Sequence, residues 1–150
     1  MKFNNLSVGY GHKSKAKIVA QNLSATIHSG ELVCLLGANG TGKSTLLRTL
    51  CGFQPFFEGE VNLMEKDLQR MDEKEISFYL SVVLTDRVIV PNATVRELVA
   101  YGRSPHTGIL GRLDTEDHKL IVQSMEQCGI LHKSDELLSN LSDGERQKHL

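Results

Sequence analysis

The sequence predicts an α/β fold with a strand-rich first part and a helical second part, and three observations support this prediction. The apolar run at residues 32–36, the glycine-rich segment 37–45 and the apolar segment 46–50 follow one another in the order strand, loop and helix. The residues before about position 84 otherwise show short extended patterns. Residues 94–141 instead show helix-start signals and a helical spacing of apolar side chains.

The first part contains several short runs that we interpret as strands. Residues 2–10 alternate loosely between apolar and polar side chains, and a polar, basic turn follows at residues 11–15. Two further extended segments are expected at residues 18–19 and 23–27. The apolar run at residues 32–36 is expected to be a buried parallel strand, because such strands are apolar on both faces.

Beyond the glycine-rich segment, the expected helix ends at Gly52, and two more strands are predicted. Residues 60–63 are interpreted as a short strand, and residues 80–84 form an apolar run of strand type. Between these two runs, Asp72 and Glu75 have the spacing of a capping box, which predicts the start of a short helix.

The second part begins with another capping box, which starts at Thr94 and predicts a helix through about Tyr101. Residues 102–112 are expected to form a loop, and a further helix is expected to begin near Asp114 or Thr115. Its packed face is expected to consist of the apolar residues at helical spacing, Leu120, Ile121, Met125 and Cys128.

The composition limits the function. The chain has 150 residues and a formal net charge of -1, which argues against a nucleic-acid partner held by bulk positive charge. No apolar run approaches the roughly 18 residues of a transmembrane helix, and we expect no signal peptide. The three cysteines, Cys34, Cys51 and Cys128, show no paired spacing, so we expect buried or half-buried free thiols in a reducing compartment.

The glycine-rich segment matches the phosphate-binding pattern G-x-x-x-x-G-K-[ST] in full. Its glycines allow the backbone to curl until the N–H groups face phosphate oxygens, and the following helix adds the positive end of its dipole. Lys43 is expected to reach the β- and γ-phosphates, and the Ser44 hydroxyl is expected to bind Mg²⁺. We expect nine residues to form this site: Gly37, Ala38, Asn39, Gly40, Thr41, Gly42, Lys43, Ser44 and Thr45.

Asp86 offers an alternative Mg²⁺ ligand, because it follows the apolar residues 82–84 as an aspartate at the end of a strand would. With Asp86 on the metal, the chain would be a complete small P-loop kinase or GTPase. Thr85 interrupts the apolar run, however, and neither an N-K-x-D nor a D-x-x-G motif occurs. This alternative also leaves residues 141–148 unexplained.

Residues 141–148 read L-S-D-G-E-R-Q-K, which by itself predicts a helix start capped by Ser142. Following a P-loop at this distance, the segment resembles the signature L-S-G-G-Q of the ATP-binding subunit of ABC transporters. The resemblance covers the whole chain. It implies a P-loop NTPase core of the ABC ATPase type with an antiparallel β part and a helical subdomain, and it implies ATP and Mg²⁺ as cofactors.

The resemblance also assigns roles to residues outside the P-loop. Tyr10 falls where the family has an aromatic residue that stacks on adenine. In the family each ATP lies between the P-loop of one subunit and the signature of another, so Ser142 and Gly144 are expected to contact the partner's nucleotide. The implied partners are a second ATP-binding subunit, in a homodimer, and integral-membrane permease subunits. The implied location is the cytoplasm, at the inner face of the cell membrane.

Residues 94–106, with the sequence T-V-R-E-L-V-A-Y-G-R-S-P-H, are similar to the ATPases of iron-siderophore, haem and cobalamin importers. This resemblance implies a role in import and places the loop at 104–112 near the permease. A soluble ABC-type ATPase without a permease, as in repair or translation factors, is one alternative. A nucleotide-binding fragment that does not hydrolyse ATP is another.

The sequence differs from the family pattern at three positions, and one motif of the family does not occur in it. Thr85 stands at the position of the Q-loop glutamine that contacts Mg²⁺, and its shorter side chain places no amide there. Asp143 and Glu145 replace the commoner Gly and Gln of the signature. The family's second acidic motif, which supplies the general base, does not occur before Leu150. We therefore expect an ATPase core without its C-terminal part, no catalytic base and no meaningful turnover by this chain.

These patterns together predict three regions. Residues 1–86 are expected to form a nucleotide-binding, β-rich core and residues 87–140 a helical subdomain. Residues 141–150 are expected to contain the signature and the start of its helix.

Overall fold

The structure, a computed structural model, describes residues 1–11, 15–83, 90–108 and 111–141. The chain divides into two compact units, Met1–Val82 and Val83–Leu150. The first unit contains, in chain order, β1 (Lys2–Tyr10), β2 (Lys17–Thr26), α1 (Lys43–Leu50), β3 (Glu58–Leu63), β4 (Lys66–Asp67) and α2 (Glu73–Ser77). The second unit contains α3 (Val95–Tyr101) and α4 (Thr115–Gln127). Single 3₁₀ turns lie at Leu68–Arg70, Leu131–Lys133 and Leu138–Asn140.

The four strands form one sheet in the order β2-β1-β3-β4, and every neighbouring pair is antiparallel. The predicted strand at residues 2–10 is confirmed. The two predicted segments at residues 18–19 and 23–27 are instead one strand, β2, which ends at Thr26. Asn22, which lies between the two predicted segments, has a positive φ of 57° at an irregularity of the β1–β2 ladder. The ladder continues on both sides of this irregularity, so the break in the apolar pattern does not end the strand.

The core of the first unit lies between the sheet and α1. Leu6 and Val8 of β1 and Val61 of β3 are fully buried, and they cluster with Leu46 and Leu50 of α1. Leu46 and Leu50 lie four residues apart, so they share one face of α1. This packing fixes the helix that follows the glycine-rich loop against the end of β1.

The predicted buried strand at residues 32–36 is wrong for this structure. These residues carry no strand, and Leu32 and Leu36 are 94% and 87% exposed. A parallel strand needs neighbours that satisfy its backbone groups, and none of the four described strands pairs with this run. The strand predicted at residues 80–84 is also wrong, because residues 80–83 form no strand. Residue 84 lies outside the described residues.

The second unit confirms the local helix signals. Thr94 and Glu97 form a complete capping box at the start of α3, and Asp114 caps α4. The first amides of α3 are further satisfied by a crossing segment, because Val95 N–H donates to the Glu136 carbonyl at 3.0 Å and Arg96 N–H to that of Ser134 at 2.9 Å. The core of this unit contains Ala93, Val95, Ile121, Met125, Ile130, Leu138 and Leu141.

The cysteines are less buried than predicted. Cys34 and Cys128 are exposed and Cys51 is half-buried, and all three are free thiols. Cys128 does not join the packed face of α4 because the helix ends at Gln127 and Cys128 is its C-cap. Burial raises the pKa of the Cys51 thiol, which disfavours its thiolate. No helix among the described residues is long and apolar enough to cross a membrane.

Candidate functional site

The P-loop leads directly into α1, as the sequence predicted. Gly40 and Gly42 have φ values of 82° and 92°, a left-handed conformation that residues with a Cβ adopt at a cost. Gly42 is the N-cap of α1, and its carbonyl accepts the first helical hydrogen bond from Leu46 N–H at 2.8 Å. A Cβ at Gly42 would lie 2.8 Å from Cγ1 of Val19 in β2. Glycine is therefore required here both by the backbone angle and by the close approach of the sheet.

The side chain of Lys43 folds back across the loop that precedes it. Its Nζ donates to the carbonyl oxygens of Gly37 and Ala38, each at 2.7 Å. The hydroxyl of Thr41 also donates to the Ala38 carbonyl, at 2.9 Å. These bonds hold the ammonium group beside the loop backbone, which is where a bound phosphate would need a cation.

The first turn of α1 presents two hydroxyl side chains with different surroundings. Ser44 is exposed, whereas Thr45 is only 2% exposed. Both follow the N-terminus of an eight-residue helix whose free N–H groups and dipole favour an anion. Ser44 can therefore offer its oxygen to a cation beside that anion, whereas Thr45 faces the protein.

Tyr10, at the end of β1, reaches this same turn. Its hydroxyl oxygen lies 2.5 Å from Oγ1 of Thr45, while 51% of its surface remains exposed. Tyr10 was expected in the site only because of the family resemblance. The 35 residues that separate Tyr10 from Thr45 leave no local pattern that predicts their contact.

Gln54 lies in the same region, and no sequence pattern indicates its contacts. Its Nε2 donates to the Gly9 carbonyl at 3.3 Å and to Oγ1 of Thr49 at 3.2 Å. Thr49 is fully buried in α1. Gln54 thus links α1 to the backbone of Gly9, the residue that precedes Tyr10 at the end of β1.

The second unit contains a groove of about 440 Å³ beside α3. Its lining includes Asn92, Glu97 and Tyr101, and Tyr101 is 60% exposed. Close to the end of α3, Arg103 Nε donates to the buried carboxylate of Asp117 in α4 at 2.7 Å. The backbone N–H of Asp114 and then this guanidinium hold the pKa of Asp117 below its usual value.

Several predicted site residues lie outside the described residues. They are Ser142 and Gly144 of the signature, Thr85 at the Q-loop position and Asp86, the alternative metal ligand. Their predicted roles stay predictions.

The fold and the loop together define a P-loop protein of the nucleotide-binding class. Residues 20–150 match the family model described as ABC transporter, and the chain belongs to this family. The resemblance noted in the sequence and the predicted fold class are both confirmed.

Individual proteins agree with this assignment. The chain is 38% identical to an uncharacterized ABC transporter ATP-binding protein of Methanocaldococcus jannaschii, over 99% of this chain and 50% of that protein. It is 36% identical to the ferric enterobactin transport ATP-binding protein of Escherichia coli, over 95% of this chain and 51% of that protein. A dimeric, post-hydrolysis ATP-binding cassette with bound ADP and phosphate matches its fold with a TM-score of 0.79 at 21% identity, over 99% of this chain and 66% of that one. The chain thus spans about half the length of the curated relatives it matches.

Proposed function

We propose that this chain binds Mg-ATP through its P-loop as the nucleotide-binding part of an ABC ATPase. The observation that carries the proposal is the position of Lys43, whose ammonium group lies 2.7 Å from two carbonyls of the loop that opens α1. An incoming γ-phosphate offers this ammonium stronger, charged acceptors in place of those carbonyls. The free N–H groups at the start of α1 supply further donors to the phosphate chain.

Mg²⁺ fits the donor set of the same site. The exposed Ser44 hydroxyl is a hard oxygen ligand, and Mg²⁺ typically combines one or two protein ligands with phosphate oxygens and water. The bound cation would neutralise charge on the phosphates. Tyr10 would stack its half-exposed ring on adenine, since an aromatic face accepts a purine ring without requiring hydrogen bonds.

The test is calorimetric titration of the purified chain with Mg-ATP. The wild-type chain is expected to bind, and Lys43→Ala is expected to lose at least about tenfold in affinity, as for the loss of a charge-assisted hydrogen bond. Lys119→Ala removes an exposed lysine from α4 and is the matched control, with unchanged affinity expected. Equal affinities of the wild type and Lys43→Ala would contradict the proposal.

We propose hydrolysis for the whole ATPase, acting as a pair of subunits. Each ATP would lie between the P-loop of one subunit and Ser142 and Gly144 of the other, so ATP would bridge and close the dimer. Water would then attack the γ-phosphate in line, the bond from the γ-phosphorus to the bridging oxygen would break, and ADP would leave, while Lys43 would stabilise the developing charge beside the cation held at Ser44. Release of the products would reopen the pair.

We further propose that the partners are permease subunits of an importer for iron-siderophore complexes, haem or cobalamin, with the ATPase on the inner face of the membrane. The support is the segment at 94–106 and the similarity to the E. coli ferric enterobactin protein. The groove beside α3, with Tyr101 at its edge, is the surface we assign to the permease. An exposed aromatic ring gives an interface a large apolar contact.

Copurification with a detergent-solubilised iron-siderophore permease tests this partner. Tyr101→Ala is expected to weaken retention of the chain, whereas Tyr79→Ala, an exposed tyrosine of the first unit, is expected to leave it unchanged. Equal retention of both variants would contradict the assigned surface. Binding of Mg-ATP without retention on any permease would favour the soluble ABC-type alternative.

A further inference from the structure

The hydrogen bond between Tyr10 and Thr45 links the hydroxyl end of the half-exposed Tyr10 ring to α1, the helix that follows the P-loop. The two hydroxyl oxygens are 2.5 Å apart, and either of them can donate. Thr45 is buried and fixed in the first turn of α1, whereas half of the Tyr10 surface is open. The ring therefore has a tethered end and a free face.

The backbone that carries Tyr10 is also held on two sides. Gln54 bonds the Gly9 carbonyl to Thr49 of α1. On the β2 side, a Cβ at Gly9 would lie only 2.0 Å from the Lys17 carbonyl oxygen, so the two strands are in close contact there. With its backbone fixed, the main freedom left to Tyr10 is rotation of its side chain, and the bond to Thr45 restricts that rotation.

Stacking on a base does not require a tyrosine hydroxyl, because a phenylalanine ring offers the same face. A side chain that must be immobilised on binding weakens affinity, and a side chain already held in its bound orientation avoids that loss. The hydroxyl of Tyr10 thus has a role that stacking alone does not explain.

We propose that Thr45 is a positioning residue that orients the Tyr10 ring relative to the P-loop, so that one nucleotide can place its base on the ring and its phosphates in the loop. This inference rests on the proposed ATP site. The bond between the two hydroxyls acts through the Tyr10 ring, so its contribution falls on the nucleoside end of the ligand, separate from the place of Thr45 in the phosphate-binding loop. Inorganic tripolyphosphate, which has no base, is therefore the probe that separates this role from a phosphate contact.

The experiment measures the affinities of the chain for Mg-ATP and for Mg-tripolyphosphate by calorimetry. Thr45→Val and Tyr10→Phe each remove one hydroxyl with little change in volume, and each is expected to weaken Mg-ATP about fivefold, as for one net hydrogen bond. The double variant is expected to bind Mg-ATP no more weakly than Thr45→Val, because the bond to Tyr10 is already lost in that variant. Thr45→Ser keeps a hydroxyl at this position and is expected to bind Mg-ATP like the wild type. Affinity for tripolyphosphate is expected to stay constant in Tyr10→Phe, because Tyr10 lies in β1, outside the P-loop.

Three results would overturn the proposal: wild-type affinity of Tyr10→Phe for Mg-ATP, additive losses in the double variant, or an equal loss of tripolyphosphate affinity in Tyr10→Phe. Far-UV circular dichroism checks folding, and if Thr45→Val does not fold, Tyr10→Phe decides. Failure of the wild-type chain to bind Mg-ATP overturns the ATP site and this inference with it. Lys43-dependent binding of Mg-ATP that Tyr10→Phe leaves unchanged overturns only the positioning role.

Discussion

Thr94 and Glu97 exchange hydrogen bonds across the first turn of α3. Glu97 Oε2 accepts from the Thr94 backbone N–H at 2.7 Å, and Oγ1 of Thr94 accepts from the Glu97 N–H at 3.2 Å. Two amides that the helix itself cannot satisfy are thereby paired. This reciprocal cap fixes the start of α3, the helix beside the groove that we assign to the permease.

Removal of the cap should destabilise the second unit. Thr94→Ala is expected to lower the free energy of unfolding by about 1 kcal/mol, because the Glu97 amide loses its side-chain acceptor. Thr94→Ser keeps the hydroxyl and is expected to remain close to the wild type. Urea denaturation followed by circular dichroism measures both, and equal losses in the two variants would show that the hydroxyl does not act as a cap.

A side chain at Gly42 should damage the P-loop. Gly42→Ala would combine a positive φ of 92° with a Cβ placed 2.8 Å from Val19, and a cost of about 1–3 kcal/mol is expected. Adding Val19→Ala is expected to recover part of this loss, since it relieves the contact but not the backbone strain.

Gly108→Ala is the matched control, because a Cβ at Gly108 meets nothing within 4 Å and no positive φ is required there. It is expected to leave the free energy of unfolding unchanged. Thermal denaturation of the variants would contradict this account if Gly42→Ala were no less stable than Gly108→Ala.

The stability of the second unit should fall in acid through Asp117. Its carboxylate accepts from the Asp114 N–H and from Arg103, and these bonds hold its pKa below the usual 3.8. A lowered folded-state pKa stabilises the fold above the usual value, and that stabilisation is lost as the pH falls below it.

Asp117→Asn is therefore expected to flatten the loss of stability as the pH falls below about 4 and to lower the melting temperature at neutral pH. Glu116→Gln, at an exposed position of the same helix, is expected to leave the pH profile as it is. Melting curves recorded across this pH range provide the measurement, and a wild-type profile for Asp117→Asn would refute the assignment.

The chain should bind Mg-ATP without turning it over. In-line attack requires a group that positions the water and accepts its proton, and the acidic motif that supplies this group in the family does not occur in residues 1–150. Phosphate release by the purified chain is expected to equal that of Lys43→Ala. Release above background that depends on Lys43 would disprove this expectation.

Local sequence signals predicted the helix caps and the P-loop, whereas contacts between residues far apart in the sequence could not be predicted. The caps at Asp72 and Thr94 and the glycines of the P-loop act within a few residues, so their patterns identify them. The apolar residues at 32–36 suggested a buried strand, but a strand exists only with pairing partners, which a local pattern does not reveal.

The candidate site shows the same division. Lys43 and Ser44 were identified from spacing alone, because the P-loop motif is continuous in sequence. The contact of Tyr10 with Thr45 and the link through Gln54 join residues 35 and 45 positions apart. No sequence period encodes such pairs, so only the folded sheet and helix reveal them.

We expect nucleotide phosphates to bind to the backbone of the P-loop, and amide chemical shifts test this binding most directly. Mg-ATP is titrated into isotope-labelled chain, and the largest shifts are expected at residues 37–45 and at Tyr10, with smaller shifts at Tyr10 for Mg-tripolyphosphate. The Lys43→Ala variant is expected to lose these changes. Shifts centred on the groove beside α3, or no shifts at residues 37–45 at millimolar Mg-ATP, would contradict the account.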